Sequence, residues 1–248
     1  MLHSPTSRRA PLFVILCFAA TALSPTDASA KKGDLTIGLG PNIYVDDATI
    51  TGTERRSAQV TELDFDIFND TLFAGEIWLA TEVIDNLRLG GGIKYLGPYE
   101  YIRKEDAEEE DDPEITRIGQ LLELTLRLEY LLELVDLDDG MALDLLLGLD
   151  LGMTMLFPDG ALEREIADLK DQNVDAWETP RLGYVVGPQV GLRFKYNETL
   201  AFRFNVAFNW SQMFLFAIDE KVDGIDFELS RQVDIIRVHV GLGLEATF

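Results

Sequence analysis

The sequence "LAFRFNVAFNW", from Leu200 to Trp210, decides the fold, because a large apolar residue occupies every second position. Alternation of this length is the pattern of a β-strand with two unlike faces. One face carries leucine, phenylalanine, valine and tryptophan, and the other carries alanine, arginine and asparagine. The strand therefore lies between an apolar environment and a polar one.

The same alternation recurs along most of the chain and predicts eight strands. It is most regular near "QLLELTLRLEYLLEL", Gln120 to Leu134. A helix is the alternative for this stretch, since leucine, glutamate and arginine favour helices. On a helix, however, its leucines would spread around the cylinder instead of forming one stripe. The predicted strands span about residues 34–47, 60–84, 87–102, 115–135, 140–157, 181–196, 199–217 and 230–248.

The connections between these strands alternate between short and long. Tight turns are predicted at Asp85-Asn86, from Asp136 to Asp139 and at Asn197-Glu198, whereas the other connections are longer, polar and mostly acidic. This layout predicts an all-β fold, an antiparallel up-and-down barrel with its turns at one end and its loops at the other. Strands two and four exceed the ~9–11 residues that cross a bilayer. We expect them to continue past the outer interface as a rigid collar.

The bulk of the apolar face indicates which side of the barrel it occupies. The interior of an eight-stranded barrel is only just wide enough to be filled by side chains, so it cannot hold eight columns of leucine and phenylalanine. The apolar face must then meet lipid, which predicts a transmembrane barrel. Small, amide and charged residues form the other face and suit a narrow lumen: Gly183, Gly187, Gln189, Gly191, Arg193, Arg203, Asn205, Asn209, Gly241, Gly243 and Glu245.

Composition excludes two classes of protein. The chain has 248 residues, a formal net charge of −23 and 47% hydrophobic residues. A disordered acidic protein would be poor in apolar residues. Nucleic acid is not an expected partner, because phosphate binding needs clustered lysine and arginine.

The first thirty residues have the pattern of a secretory signal peptide. Arg8 and Arg9 precede an apolar run from Pro11 to Leu23, and Ala28-Ser29-Ala30 is a small-x-small cleavage pattern. A membrane anchor is the alternative, but the apolar run is shorter than the ~20 residues that span a bilayer. We therefore predict a signal peptide over residues 1–30 and a barrel over residues 31–248. Cys17, the single cysteine, falls in the predicted signal peptide.

In this pattern the chain resembles the small eight-stranded bacterial outer membrane barrels of the OmpA, OmpX and OmpW type. The final Phe248, preceded by Val240, Leu242, Leu244 and Ala246, resembles the C-terminal signal by which such barrels are assembled. The resemblance implies the outer membrane of a Gram-negative bacterium. It also implies contact with membrane lipids and lipopolysaccharide, and with the barrel assembly machinery.

The inward face of the predicted strands carries charges of both signs at similar depths. Charges in a confined space are paired, hydrogen-bonded or hydrated. Two hypotheses follow, a salt-bridged plug and a selective path for a small solute. The candidate lumen residues are Glu76, Glu82, Arg88, Lys94, Arg117, Glu123, Arg127, Glu129, Glu133, Asp144, Asp150, Arg193, Lys195, Arg203, Arg237, His239 and Glu245.

The predicted outer loops are acidic, most of all from Arg103 to Ile115. They are interpreted as solvated loops. Divalent-cation binding that bridges to lipopolysaccharide is the alternative, because carboxylate oxygens suit Ca²⁺ and Mg²⁺. No ordered metal motif is recognised, and no cofactor is expected. Residues 161–171, "ALEREIADLKD", have helical periodicity and predict a short amphipathic helix in the third long loop.

Catalysis is not the expected function. His239 is the only histidine after the predicted signal peptide, and it would point inward near Asn205, Asn209 and Ser211. A Ser–His–Asn set is conceivable there, but it would be buried away from substrate. The leading hypothesis is a non-enzymatic outer membrane barrel that serves envelope structure or surface interaction. A narrow, porin-like channel for small or hydrophobic solutes is the second hypothesis, and a lipid-modifying barrel enzyme is the third.

Overall fold

The computed structural model describes residues 34–69, 73–103, 114–137, 140–222 and 224–248. The predicted signal peptide, residues 1–30, lies outside these ranges, as does most of the acidic loop from Arg103 to Ile115. The described chain contains nine strands and one helix. They are β1 (Leu35–Arg56), β2 (Gln59–Asn69), β3 (Phe73–Ile84), β4 (Leu87–Arg103), β5 (Thr116–Asp136), β6 (Ala142–Pro158), α1 (Ala161–Asp171), β7 (Arg181–Lys195), β8 (Leu200–Val222) and β9 (Ile225–Thr247).

All strand pairings are antiparallel, and they close into a ring. β1 pairs with β9 from Thr36↔Thr247 to Arg56↔Phe227, which closes the barrel. On its other side, β1 pairs with β3 along its first half and with β2 along its second half. β2 and β3 therefore share one position in the wall, so the ring has eight positions. The predicted eight-stranded antiparallel barrel is confirmed, although the predicted strand two, residues 60–84, is divided into β2 and β3.

The predicted long loops after strands one and seven are wrong. β1 continues to Arg56 and only two residues separate it from β2, while β8 and β9 are likewise separated by two residues. The strands β1 and β2, and likewise β8 and β9, form β-hairpins that extend beyond the membrane, because the alternation of the two faces continues there. The long connections are those after β4 and β6. β5, the predicted strand four, begins at the level of Tyr101 and does not reach the hairpin tips.

The polarity of the two faces inverts along the strands, and this inversion marks the membrane–water interface on the external side of the barrel. We call the periplasmic end of the barrel its lower end. In the lower part of β9, from Ile236 to Thr247, apolar residues point outward and Arg237 and His239 point inward. In the upper part of β9, from Asp226 to Asp234, polar residues point outward and Phe227, Leu229 and Val233 point inward. The lower part thus suits lipid and the upper part suits water. We call residues 48–66 of β1 and β2 and residues 214–234 of β8 and β9 the collar. The predicted collar is confirmed for the β2 part of strand two and is wrong for strand four; the rest of the collar comes from β1, β8 and β9.

An apolar core fills the upper half of the barrel, and α1 covers it. Leu162, Ile166 and Leu169 have the spacing of one helix face, and all three are buried in this core. Glu165 of α1 accepts a hydrogen bond of 2.7 Å from Arg231 of β9, which ties the helix to the collar. The predicted helix over residues 161–171 is confirmed. Among the described residues, no helix is long and apolar enough to span a membrane.

Candidate functional site

The lower half of the interior contains a network of paired charges that we call the lumen network. It has seven acids and six bases, so its net charge is −1, whereas the whole chain carries −23. The interior is therefore nearly neutral, and the excess negative charge lies elsewhere. The network consists of Asp46, Glu76, Arg88, Lys94, Glu123, Arg127, Glu129, Asp144, Asp150, Arg193, Arg203, Arg237 and Glu245.

Arg127 of β5 lies at the centre of this network. Its Nε and Nη2 donate to the two carboxylate oxygens of Asp150 on the neighbouring strand, at 2.8 and 2.9 Å. Nη2 also donates to Glu76 on β3, at 2.5 Å, so the contact reaches past the intervening strand β4. A bidentate guanidinium–carboxylate pair is the strongest class of charged hydrogen bond. These contacts hold Arg127 in one position between β3 and β6.

Arg237 of β9 occupies the upper layer of the network in the same manner. It donates to both oxygens of Asp46 on β1, at 2.6 and 2.9 Å, and also to Glu123 on β5. Lys94 of β4 lies 3.7 Å from the second oxygen of Glu123. The upper layer therefore ties the β9–β1 part of the wall to the β4–β5 part across the lumen.

The lowest layer consists of two arginines around Glu245. Arg193 donates to Glu245 at 2.7 Å and to Asp144 at 3.0 Å, while Arg88 donates to Glu245 at 3.2 Å. Arg203 lies just above this layer and donates to Glu129 at 2.5 Å. Below these pairs, a vestibule of about 190 Å³ opens at the periplasmic mouth.

A tryptophan lies among these charges. Trp78 of β3 is only 3% exposed, and the guanidinium groups of Arg203 and Arg127 lie 5.1 and 5.9 Å from its ring centre. Its ring occupies the space beside two glycines, because a Cβ at Gly38 would lie 2.0 Å from it and one at Gly243 would lie 2.3 Å from it. Arginine over a tryptophan face is a favourable cation–π contact. Trp78 thus fills the lumen where a void would otherwise separate the charges.

The fit of Trp78 makes Gly38 sensitive to the addition of one methyl group. We expect Gly38→Ala to lower the free energy of unfolding by about 1–3 kcal/mol, the usual cost of overpacking. Urea unfolding of the protein in lipid vesicles measures this. Gly75→Ala is the matched control, because nothing lies within 4 Å of a Cβ there. Trp78→Leu added to Gly38→Ala should restore stability; equal losses in the two glycine variants would contradict the packing argument.

Five of the predicted lumen residues are not members of the network: His239, described below, and Glu82, Arg117, Glu133 and Lys195. Arg117 is largely exposed and pairs with Asp159 and Glu100, because the strand pairing is irregular between Tyr99 and Glu100. Glu82 accepts a hydrogen bond from the Asn86 backbone N–H at the turn that follows β3. Glu133 and Lys195 line the periplasmic vestibule.

His239 lies inside the barrel next to a cation. Its Nε2 is 3.5 Å from Lys94 Nζ, and the residue is 1% exposed. His239 is opposite Ala207 in the β8–β9 pairing, while Ser211 is opposite Ile235. Four residues of strand, roughly 13 Å, therefore separate Ser211 from the level of His239. The nucleophile and base of the conceivable Ser–His–Asn set are not adjacent.

Several residues of the interior were missed by the sequence analysis. Tyr44, Asp46 and Trp78 lie on the inward face, but each follows or precedes apolar neighbours that hide the alternation. Gln189 bridges Arg203 and Asp150, a contact that depends on strand register. In the described chain, no group of three or more histidine, cysteine or acidic side chains has an arrangement that could hold a metal ion.

No known protein-family profile matches this chain, and no curated protein matches it. Solved structures with a similar fold include the outer membrane protein OprG from Pseudomonas aeruginosa, which is 14% identical, covers 89% of this chain and 98% of its own, and has a TM-score of 0.44. The outer membrane protein AlkL, solved in DMPC bilayers, is 13% identical, covers 91% of this chain and 95% of its own, and has a TM-score of 0.46. Neisserial surface protein A is 12% identical, covers 83% of this chain and 97% of its own, and has a TM-score of 0.36.

The class of this protein follows from its own wall and interior. The ring of strands is closed, its lower exterior is apolar, and its lower interior is charged. Closure satisfies the backbone groups that lipid cannot, and the apolar exterior matches the hydrocarbon region. The chain is therefore a small transmembrane β-barrel of the bacterial outer membrane type. Phe248 exchanges backbone hydrogen bonds of 2.9 and 3.2 Å with Leu35 at the closing pair of strands, and its role as an assembly signal stays a prediction.

Proposed function

We propose that this protein is a non-conducting, non-enzymatic outer membrane barrel that acts through its rigid collar at the cell surface. The observation that carries this proposal is the filling of the interior at two levels. The lumen network occupies the lower half, and the apolar core under α1 occupies the upper half. A continuous path for ions would have to cross both.

The pairing within the lumen network supports a plug over a path. Arg127 and Arg237 each hold two carboxylates, and each makes one bidentate contact. Opening a path would separate these groups, and an unpaired charge in a confined interior is costly. The apolar upper core adds a second barrier, because moving an ion through it removes the ion from water.

A non-enzymatic role is part of the proposal. Its support is the placement of His239, which faces Lys94 and is separated from Ser211 by four residues of strand. Nucleophilic catalysis requires a nucleophile within hydrogen-bond reach of its base. We assign His239 a structural role in the upper layer of the lumen network.

The collar is the surface on which this protein would act. Glu62, Asp64 and Asp66 of β2 are exposed on its outer side, at fixed spacing on a paired strand. Such a surface suits cationic partners, or divalent cations that bridge to lipopolysaccharide. We propose lipopolysaccharide as a partner at this level, and the barrel assembly machinery as a partner during biogenesis.

Planar-bilayer recording tests the closed lumen. We expect the folded protein to give no reproducible open level, because the lumen network and the apolar core close the interior. A variant in which Glu76, Arg127 and Asp150 are alanine and residues 160–173 are a Gly-Ser linker should conduct more than the unchanged protein, since one layer of the lumen network and the helix that covers the apolar core are removed. A difference in electrophoretic mobility between unheated and heated samples shows that each protein is folded. A stable open level with the unchanged protein would overturn the proposal and favour the narrow channel.

A further inference from the structure

The barrel wall contains a cavity where β7 separates from β8. The β7–β8 pairing ends at Gly183↔Met213, although β8 continues to Val222. The chain before β7 runs beside this free edge, and the Asp175 backbone N–H donates to Glu220 at 2.8 Å. Between the two segments lies a cavity of about 480 Å³. This volume is within the range of small-molecule sites.

The outer wall of the cavity is apolar and lies at the level of the lipid head groups. Trp177, Leu182 and Phe214 line it and are 68%, 51% and 46% exposed. Directly below runs an outward row of polar contacts, in which Gln212 accepts from Tyr184 and donates to Asp234, both at 2.8 Å. Such a row suits the membrane–water interface. The cavity therefore lies just above the interface, within reach of an amphiphile whose head group leaves the outer leaflet.

A buried guanidinium without a carboxylate partner lines the same cavity. Arg181 is 6% exposed, and its Nε and Nη2 have no hydrogen-bond acceptor among the described residues. It packs over the ring of Phe216, with 5.1 Å between Cζ and the ring centre. The nearby carboxylate of Glu165 is paired with Arg231. A buried charge of this kind is costly unless an anion joins it.

Three acids also line the cavity, and their positions limit what can bind. Asp175 and Asp219 are exposed and Glu220 is half-buried, so they form its solvent side. They disfavour a head group with several negative charges. A single negative charge placed at Arg181 would remain on the buried side.

We propose that this cavity binds a single-chain amphiphile with one anionic head group, such as a carboxylate. The head group pairs with the guanidinium of Arg181, a residue that lines the cavity, and the chain lies along Leu182 and Phe214. The volume suits one chain and its head group better than a whole lipid with several chains. This site is independent of the proposed function, because it lies in the wall and does not require a conducting lumen.

Titration calorimetry of the protein in phosphatidylcholine nanodiscs tests the proposal, with empty nanodiscs as the blank. The probes are dodecanoate, dodecanol and dodecyltrimethylammonium, which share one chain length. We expect saturable binding of dodecanoate and binding at least about tenfold weaker for the other two, the factor that loss of a charge-assisted hydrogen bond produces. Dodecanol binding as tightly as dodecanoate would overturn the role of the anion.

Variants locate the site. Arg181→Gln should weaken dodecanoate binding by about tenfold or more, whereas Arg55→Gln, an exposed collar arginine, should leave it unchanged. Ala217→Trp fills the cavity without touching a charge and should abolish saturable binding, which keeps the test decisive if Arg181→Gln does not fold. Unchanged binding in folded Arg181→Gln or Ala217→Trp would overturn the proposal.

Discussion

Replacing Arg127 with methionine is expected to lower the free energy of unfolding by about 3–5 kcal/mol, the cost of leaving buried charges without their partner. Arg127 is 1% exposed in its side chain and holds both Asp150 and Glu76. Methionine fills a similar volume but donates no hydrogen bond, so two carboxylates would remain together in the lumen. Their mutual repulsion adds to the loss of the guanidinium.

Two further variants distinguish the stability lost with the ion pairs from the stability lost with side-chain packing. Arg55→Met removes an exposed arginine that lies 3.2 Å from Glu228, and it should cost about 0–1 kcal/mol. The triple variant Arg127→Met, Glu76→Gln, Asp150→Asn removes the guanidinium together with the two carboxylates that it hydrogen-bonds, and it should recover most of the loss. Urea unfolding in lipid vesicles gives all three values. If the triple variant were as unstable as the single one, packing and not charge would explain the effect.

Replacing Val240 with arginine is expected to lower the free energy of unfolding by about 2–4 kcal/mol, the cost of arginine on the lipid face near the bilayer midplane. Val240 is 40% exposed on β9, between Val206 of β8 and Ile43 of β1. It lies in the middle of the apolar exterior. An arginine there can reach water only by deforming the bilayer or extending along the wall.

Ser230→Arg provides the control, because Ser230 lies on the same outward face of the same strand above the interface. It should change stability by less than about 0.5 kcal/mol, as surface substitutions usually do. Both variants are compared by unfolding in vesicles of one lipid. Similar losses at the two positions would mean that the polarity inversion near Ile235 does not mark the membrane interface.

Sequence alone was sufficient for the membrane-spanning part of the fold. The alternation from Leu200 to Trp210 combined with the limited room inside eight strands to place phenylalanine outside and arginine inside. The tight turn at Asp85-Asn86 was also predicted from the sequence, and Asn86 has a positive φ of 68° there. Each of these inferences needed only local pattern and volume.

Most of the collar was not predicted, because its strands obey the opposite polarity rule. The volume argument places polar residues in the lumen, so it does not predict the exposed acids on the outer side of β2. The sequence does contain a signal at Ile235-Ile236, where two consecutive apolar residues change the phase of the alternation. Asp223-Gly224 is also a strong two-residue hairpin signal.

The partners inside the lumen could not be predicted, because they depend on register and rotamers across the barrel. Whether Glu76 meets Arg127 or Lys94 is decided by the stagger of the strands. The position of Trp78 depends on Gly38 and Gly243, which lie on two other strands. The cavity at Arg181 arises where β8 continues past the beginning of β7; the start of β7 at residue 181 was predicted, but the continuation of β8 to Val222 was not.

The pairing of β1 with β9 has a consequence for how the chain folds. The hydroxyl groups of Thr36 and Thr247 meet at 3.1 Å across 211 residues of sequence, and Arg88 meets Glu245 across 157. Contacts of such long sequence separation form slowly, because chain entropy is lost before they form. Until β9 arrives, β1 has an open edge and Arg88 lacks the Glu245 carboxylate. Wall and interior are therefore completed in the same late step, which makes acquisition of the native barrel cooperative.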